Sequence, residues 1–167
     1  FGFARVFYSE MSFIEYIIHN KVAPKGCIVY NLSRDGVKPG KKSLIPAFCD
    51  LYGIKYTGSD AFVISLLRNK KTYSDVLLQN GIHVPITYTF TPGHTSQADM
   101  LNVFEEMDIL IKNIDESASI GLTSRCRMKL NRESYQQFHD TALEVNPKHV
   151  LVQEFIAGIE CEVLVIK

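Results

Sequence analysis

This 167-residue chain lacks a net charge: 18 basic residues are matched by 18 acidic ones. No global field therefore draws it toward nucleic acid or an anionic membrane, and only a local basic patch could do so. No apolar run approaches the ~18 residues of a membrane-spanning helix, and the first residues do not read as a secretory leader. The four cysteines, Cys27, Cys49, Cys126 and Cys161, lie far apart, which fits neither a zinc-finger spacing nor a dense disulfide framework. They read as free core thiols of a soluble, cytoplasmic protein.

Chemical fingerprints are also scarce. No Gly-x-Gly-x-x-Gly occurs, which removes the usual dinucleotide turn. The five histidines show no helical metal spacing, and Phe138-His139-Asp140 has no nucleophile elbow to serve, so His139 reads as an exposed helix residue. Gly36 to Ser43 sits between a strand and a helix, where a phosphate loop would lie. Its spacing is wrong: only three residues separate Gly36 from Gly40, and Lys42 intervenes between Lys41 and Ser43. There is no internal repeat and no low-complexity segment.

What is present is an alternation of strand and helix patterns. Arg5–Tyr8 reads as a short strand, and Ser12 with Glu15 as a capping box ahead of the stripe Phe13, Ile14, Ile17 and Ile18. Cys27–Leu32 reads as a buried strand, and Ser43–Tyr52 as a helix with Pro46 in its first turn and Gly53 as its C-terminal cap. Tyr56–Ser59 is a strand end and turn, completing a βαβαβ order that argues for an open α/β sheet. Ala61–Leu67 and Lys71–Asn80 read as two short helices, the second stopped by Gly81. Ile86, Tyr88 and Phe90 then alternate with threonines as a half-buried strand. Ala98–Met107 reads as a helix, Ile109–Lys112 as a strand, Asn131–Glu144 as a helix and Val150–Glu154 as a strand.

Two places suggest anion chemistry. Lys112 ends the apolar run Ile109-Leu110-Ile111, so its ammonium is aimed out of the core, where a phosphate could pair with it. The small residues from Asp115 to Gly121 would let backbone N–H groups approach the same anion closely.

In series, Tyr56-Thr57-Gly58-Ser59, Asn69-Lys70, Gly81-Ile82-His83-Val84-Pro85, Lys112, Ser117-Ala118-Ser119-Ile120-Gly121 and Gln153-Glu154-Phe155-Ile156-Ala157-Gly158-Ile159-Glu160 resemble the D-alanine-D-alanine ligase branch of the ATP-grasp enzymes, over about residues 27–167. The resemblance implies a partial open α/β N-terminal lobe over residues 1–59, a small α+β ATP-grasp central lobe over 60–158, and the first strand of a further lobe over 159–167. On that view the chain is a piece of a longer protein. It implies that Lys70 and Lys112 contact ATP phosphates, that Ser117 and Ser119 belong to a loop closing over them, and that Gln153 stands where a glutamate often receives the adenine amino group. An amide oxygen could accept the same bond. Glu154 and Phe155 would form the hinge, the Ile156 backbone would meet the adenine edge, and Glu160 would bind the ribose hydroxyls.

The family forms an acyl phosphate from a carboxylate and ATP, then lets an amine displace phosphate. Such transfer is mainly positioning and neutralisation of spread negative charge. The implied cofactors are ATP and Mg²⁺, with the metal ligands expected beyond Lys167; none is assigned within this chain, nor is any catalytic residue. The implied partners are ATP and small amino-acid-like substrates, with a homodimer left open and neither nucleic acid nor membrane expected. Asn69, Asn113 and Ala118 depart from the family's usual residues, and Ser33–Gly40 lacks its His-Gly segment, which argues against strict D-alanine specificity. The reading from another class is a nucleotide-binding or scaffolding module that performs no ligation.

Overall fold

The computed structural model describes residues 4–20, 26–34, 40–114, 122–161 and 163. The chain divides into two compact units, Phe1–Tyr73 and Ser74–Lys167. Its architecture is α/β, with a parallel strand pair in the first unit and a four-stranded antiparallel sheet in the second.

The first unit opens with helix α1 (Glu10–Asn20). Its N-terminal cap is one turn earlier than expected: the Ser12 N–H donates to Ser9 Oγ at 3.1 Å, so Ser9 rather than Ser12 does the capping. Phe13 and Ile17 are buried, whereas Ile18 of the expected stripe is exposed. Strand β1 (Ile28–Val29) pairs in parallel with β2 (Lys55–Tyr56). Two expectations fail here. Residues 4–8 form no strand, and the run Cys27–Leu32 is not buried, since Ile28, Tyr30 and Leu32 are 70%, 74% and 72% exposed. Alternation explains the second result: Val29 faces the core, which sends its neighbours the other way.

Helix α2 (Leu44–Tyr52) lies between these strands, with Pro46 early enough that its missing N–H breaks no helical bond. Gly53 ends it at φ 66°, a left-handed conformation that suits glycine. Ile54 N–H then returns to the Cys49 carbonyl at 2.8 Å, which swings Ile54 into the core. Phe13 and Phe48 meet edge to face there, with ring centroids 5.9 Å apart. Cys49 is also buried in this core, and burial, then the neighbouring Asp50 charge and Cys27, push its thiol up to about 11. Cys126 is likewise buried, but Cys161 is exposed and so is not a core thiol.

Helix α3 (Ala61–Arg68) is capped by Asp60, whose carboxylate accepts the Val63 N–H, and it packs against α2. By contact it therefore belongs with the first unit. Helix α4 (Lys70–Gln79) follows directly, and Gly81, at φ 75°, turns the chain beyond it.

The second unit contains β3 (Thr87–Phe90), α5 (Gln97–Phe104), β4 (Met107–Asn113), β5 (Arg127–Leu130), α6 (Tyr135–Val145) and β6 (Val150–Glu154). Strand order is β3-β6-β4-β5, all antiparallel. A capping box between Ser96 and Asp99 starts α5. This helix stops at Phe104, three residues before the expected end, because Glu106 turns at φ 62° and donates its N–H to the Leu130 carbonyl at 2.8 Å. Met107 then opens β4 instead of closing the helix. The onset of α6 is late because Asn131 and Ser134 exchange side-chain to backbone hydrogen bonds of 2.9 and 3.0 Å, holding a turn where the helix was expected to begin. Strand β5 was not anticipated, although Arg127-Met128-Lys129-Leu130 alternates as an exposed and buried series.

The core of this unit lies under one face of the sheet. Phe90, Ile109, Ile111, Met128, Leu130, Val150 and Val152 point into it from the strands, and Met100, Phe104, Phe138 and Ala142 meet them from α5 and α6. His139 packs its ring edge-on against Phe90 at 5.9 Å, so it is part of this packing and not simply a solvated helix residue.

Candidate functional site

Because successive strand residues point to opposite faces, filling one face with that core dictates what the other carries. Register aligns Arg127 of β5 with Leu110 of β4, Leu110 with Gln153 of β6, and Gln153 with Thr87 of β3. One step along the sheet, Lys112 is opposite Leu151, and Leu151 is opposite Thr89. Lys112 and Gln153 thus share the face turned away from α5 and α6, on neighbouring strands.

They touch. Lys112 Nζ donates to Gln153 Oε1 at 2.6 Å. Partial burial holds the Lys112 ammonium below the ordinary lysine value of 10.5, while the Glu160 carboxylate pulls the other way. Glu160 is exposed, and it is close enough for its charge to act on Lys112 across a separation of 48 residues in the chain. A hydrogen bond from a charged donor contributes about 1.5–3 kcal/mol, so the contact can offset part of the desolvation of the ammonium. The result is a cation held at a fixed place, with its charge incompletely neutralised. That is a suitable arrangement for meeting an anion.

The remaining positions on β6 and beyond divide into those already used by the fold and those that are not. Glu154 ties β6 to the residue before β3: its N–H donates to the Ile86 carbonyl at 2.8 Å, and its Oε2 accepts the Ile86 N–H at 3.1 Å. Phe155 donates its N–H to the Asp108 carbonyl at 2.8 Å, and its ring carries the Arg127 guanidinium 3.8 Å from its centroid. Ile156 is exposed, and its backbone N–H and carbonyl make no hydrogen bond among the described residues. Ser117 and Ser119 lie outside the described residues, as do most of the strand expected from Cys161 to Ile166 and Gly36 to Pro39 of the rejected phosphate loop.

Lys70 belongs to the first unit, where it is the first residue of α4 and half-buried. The structure gives its neighbour Asn69 a clear local task. Asn69 Oδ1 accepts both the N–H and the hydroxyl of Thr72 at 2.9 Å, which caps α4. An asparagine performs that task as well as an aspartate, so the departure at this position keeps the local backbone.

Sequence reasoning missed one further feature of the first unit. A hollow of about 850 Å³ is lined by residues that include Arg5, Glu10, Tyr30, Ser33 and Arg34. Glu10 is only 7% exposed and its carboxylate accepts the Ser33 hydroxyl. The sequence signal for it is an acid straight after Ser9 at the start of an apolar helix, beside the competing Ser12 and Glu15 pattern.

Among the described residues, no group of three or more His, Cys, Asp or Glu is placed to hold a metal ion. Around Lys112 the donor set is one carboxylate and one amide oxygen already committed to the ammonium, which does not fit Mg²⁺. No described helix is long and apolar enough to cross a membrane.

No family model matches the chain. Over 131 residues it is 26% identical to a D-alanine–D-alanine ligase of Aquifex aeolicus, an alignment covering 77% of this chain and 41% of that protein. Its relatives are D-alanine–D-alanine ligases. The crystal structure of such a ligase from Helicobacter pylori superposes with a TM-score of 0.56 at 22% identity, covering 79% of this chain and 39% of that one. The ligase from Bacillus anthracis, solved in complex with ATP, gives 0.52 at 16% identity, covering 70% and 36%. The fold is therefore that of part of these ATP-grasp ligases, and the chain spans about two fifths of the length of the relatives it matches.

Proposed function

We propose that this chain is the nucleotide-gripping part of an ATP-dependent carboxylate–amine ligase. The observation that carries the reading is the contact of Lys112 with Gln153 beside the Glu160 carboxylate, on the sheet face that α5 and α6 leave to other uses. In this proposal Lys112 neutralises phosphate charge, Glu160 receives the ribose hydroxyls, and the Ile156 backbone meets the edge of the base. The loop holding Ser117 and Ser119 covers the phosphates. The resemblance sets the central lobe at residues 60–158, with 159–167 leading into a further one, whereas residues 60–73 pack with the first unit.

The first unit suits the other half of such a reaction. Arg5, Glu10 and Arg34 line one hollow with both signs of charge, which is the lining a zwitterion of the amino-acid class would meet favourably. In the proposed chemistry a carboxylate oxygen attacks the γ-phosphorus of ATP and ADP leaves. An amine then displaces phosphate from the acyl phosphate, forming the amide bond and releasing a proton. This chain's own residues bind, orient and neutralise.

The test is calorimetric titration of ATP into the full natural chain that carries this sequence, with and without Lys112→Ala. The variant is expected to weaken binding or slow turnover on the order of 10²-fold, the typical loss for one electrostatic donor. A folded protein that binds no ATP would sink the proposal.

A further inference from the structure

Gln153, which the proposed site sets against the nucleobase, is already committed at one end. An ammonium can only donate, so the 2.6 Å contact with Lys112 requires Gln153 to turn Oε1 toward Nζ, which leaves the Nε2 amide directed away. Nε2 makes no hydrogen bond among the described residues, although Gln153 is half-buried. The other side chain nearby, Glu154, is bound back to the Ile86 N–H. The polar groups at this end of β6 with hydrogen-bonding capacity to spare include the two amide N–H donors and second Oε1 lone pair of Gln153, the remaining N–H donors of Lys112, and the backbone N–H and carbonyl of Ile156.

We infer that Gln153 makes the nucleotide site accept 6-oxopurines, such as hypoxanthine and guanine, alongside adenine. The inference rests on the nucleotide-site reading above and deepens it. A carboxylate at this position presents only acceptors, which match the 6-amino group of adenine and repel a 6-oxo group. The amide reverses that balance: its N–H groups donate to O6, and the second lone pair of Oε1 remains for an amino group. Ile156 supplies one donor and one acceptor from the backbone, so it matches either the N1 acceptor of adenine or the N1–H of a 6-oxopurine. Discrimination then depends on the donor and acceptor balance at residue 153, set beside the fixed donors of Lys112. Lys112 acts as the positioning residue, because its ammonium selects the amide orientation.

The experiment compares binding of ATP and inosine triphosphate to the full natural chain, in the wild type and in Gln153→Glu. Inosine triphosphate differs from ATP only at the base edge in question. The wild type is expected to bind the two within about tenfold of each other, and Gln153→Glu to weaken inosine triphosphate at least about tenfold more than ATP. A wild type that rejects inosine triphosphate while binding ATP, or a variant that leaves the ratio unchanged, overturns the inference and leaves the nucleotide site standing. Binding of neither nucleotide by the folded wild type overturns the site itself. If the variant does not fold, the wild-type ratio decides alone.

Discussion

The two units of this chain bury their apolar residues to different depths. In the second unit Phe90, Met100, Phe104, Ile109, Ile111, Leu130, Phe138, Val150 and Val152 are all completely buried between one sheet face and two helices. In the first unit the small residues Pro46 and Cys49 reach that state, while Ile28, Tyr30 and Leu32 stand exposed in an alternating row. A four-stranded sheet whose faces are fixed by a full core has one register, and therefore one set of side chains on its other face. A two-residue strand pair imposes much less. The comparison explains why Lys112 and Gln153 meet in a defined geometry within the second unit, whereas the hollow of the first unit is bounded mostly by irregular chain.

The largest effect should come from the centre of the better-packed unit. Phe138→Ala removes a fully buried ring that meets Phe90 at 4.9 Å, and is expected to cost about 3–5 kcal/mol in denaturant unfolding. Phe13→Ala should cost less, because Phe13 is 7% exposed where Phe138 is fully buried. Equal or reversed costs would break the comparison. Next comes the start of α5: Ser96→Ala removes the hydroxyl that caps the Asp99 N–H, leaving the backbone half of the capping box, and should lower stability by about 1 kcal/mol, read from the same unfolding curves. Ile28→Lys probes the exposed row and should change stability by less than about 0.5 kcal/mol. A large loss there would mean the row is buried in solution.

The smallest expected effect concerns protons. Burial lowers the folded value of Lys112 below 10.5, so the unfolded chain holds this proton more tightly than the folded one. Charging Lys112 therefore opposes folding at neutral pH. That opposition fades as pH climbs through the lowered value and is gone above 10.5. Gln153→Glu places a carboxylate against the ammonium and should raise the Lys112 value, as followed by NMR titration of its side chain. A wild-type Lys112 that titrates at or above 10.5 would show that the second unit does not desolvate it.

Legibility differed along the chain for physical reasons. Helices ended by Gly53 and Gly81 and the strand Val150–Glu154 were readable because a left-handed turn or a short apolar run is a local property. The ends of α5 and α6 were misplaced because long-range or side-chain bonds set them: Glu106 to Leu130 in one case, Asn131 with Ser134 in the other. At the candidate site, Lys112, Gln153 and Glu160 were legible as residue types in order. The carboxylate of Glu10 was not, because its burial depends on Ser33 and the rest of the hollow.

By itself, the sequence determined the α/β alternation, the main helix stops and the series of short motifs that resembles D-alanine–D-alanine ligases, since each depends on neighbours a few positions away. Only the tertiary structure decided that β5 exists, that the strands run in the order β3-β6-β4-β5, and that Lys112 turns to Gln153 rather than to solvent. The reason is parity. A shift of one residue in the pairing of β4 with β6 would send Lys112 and Gln153 to opposite faces, and that register is set by core packing on the far side of the sheet.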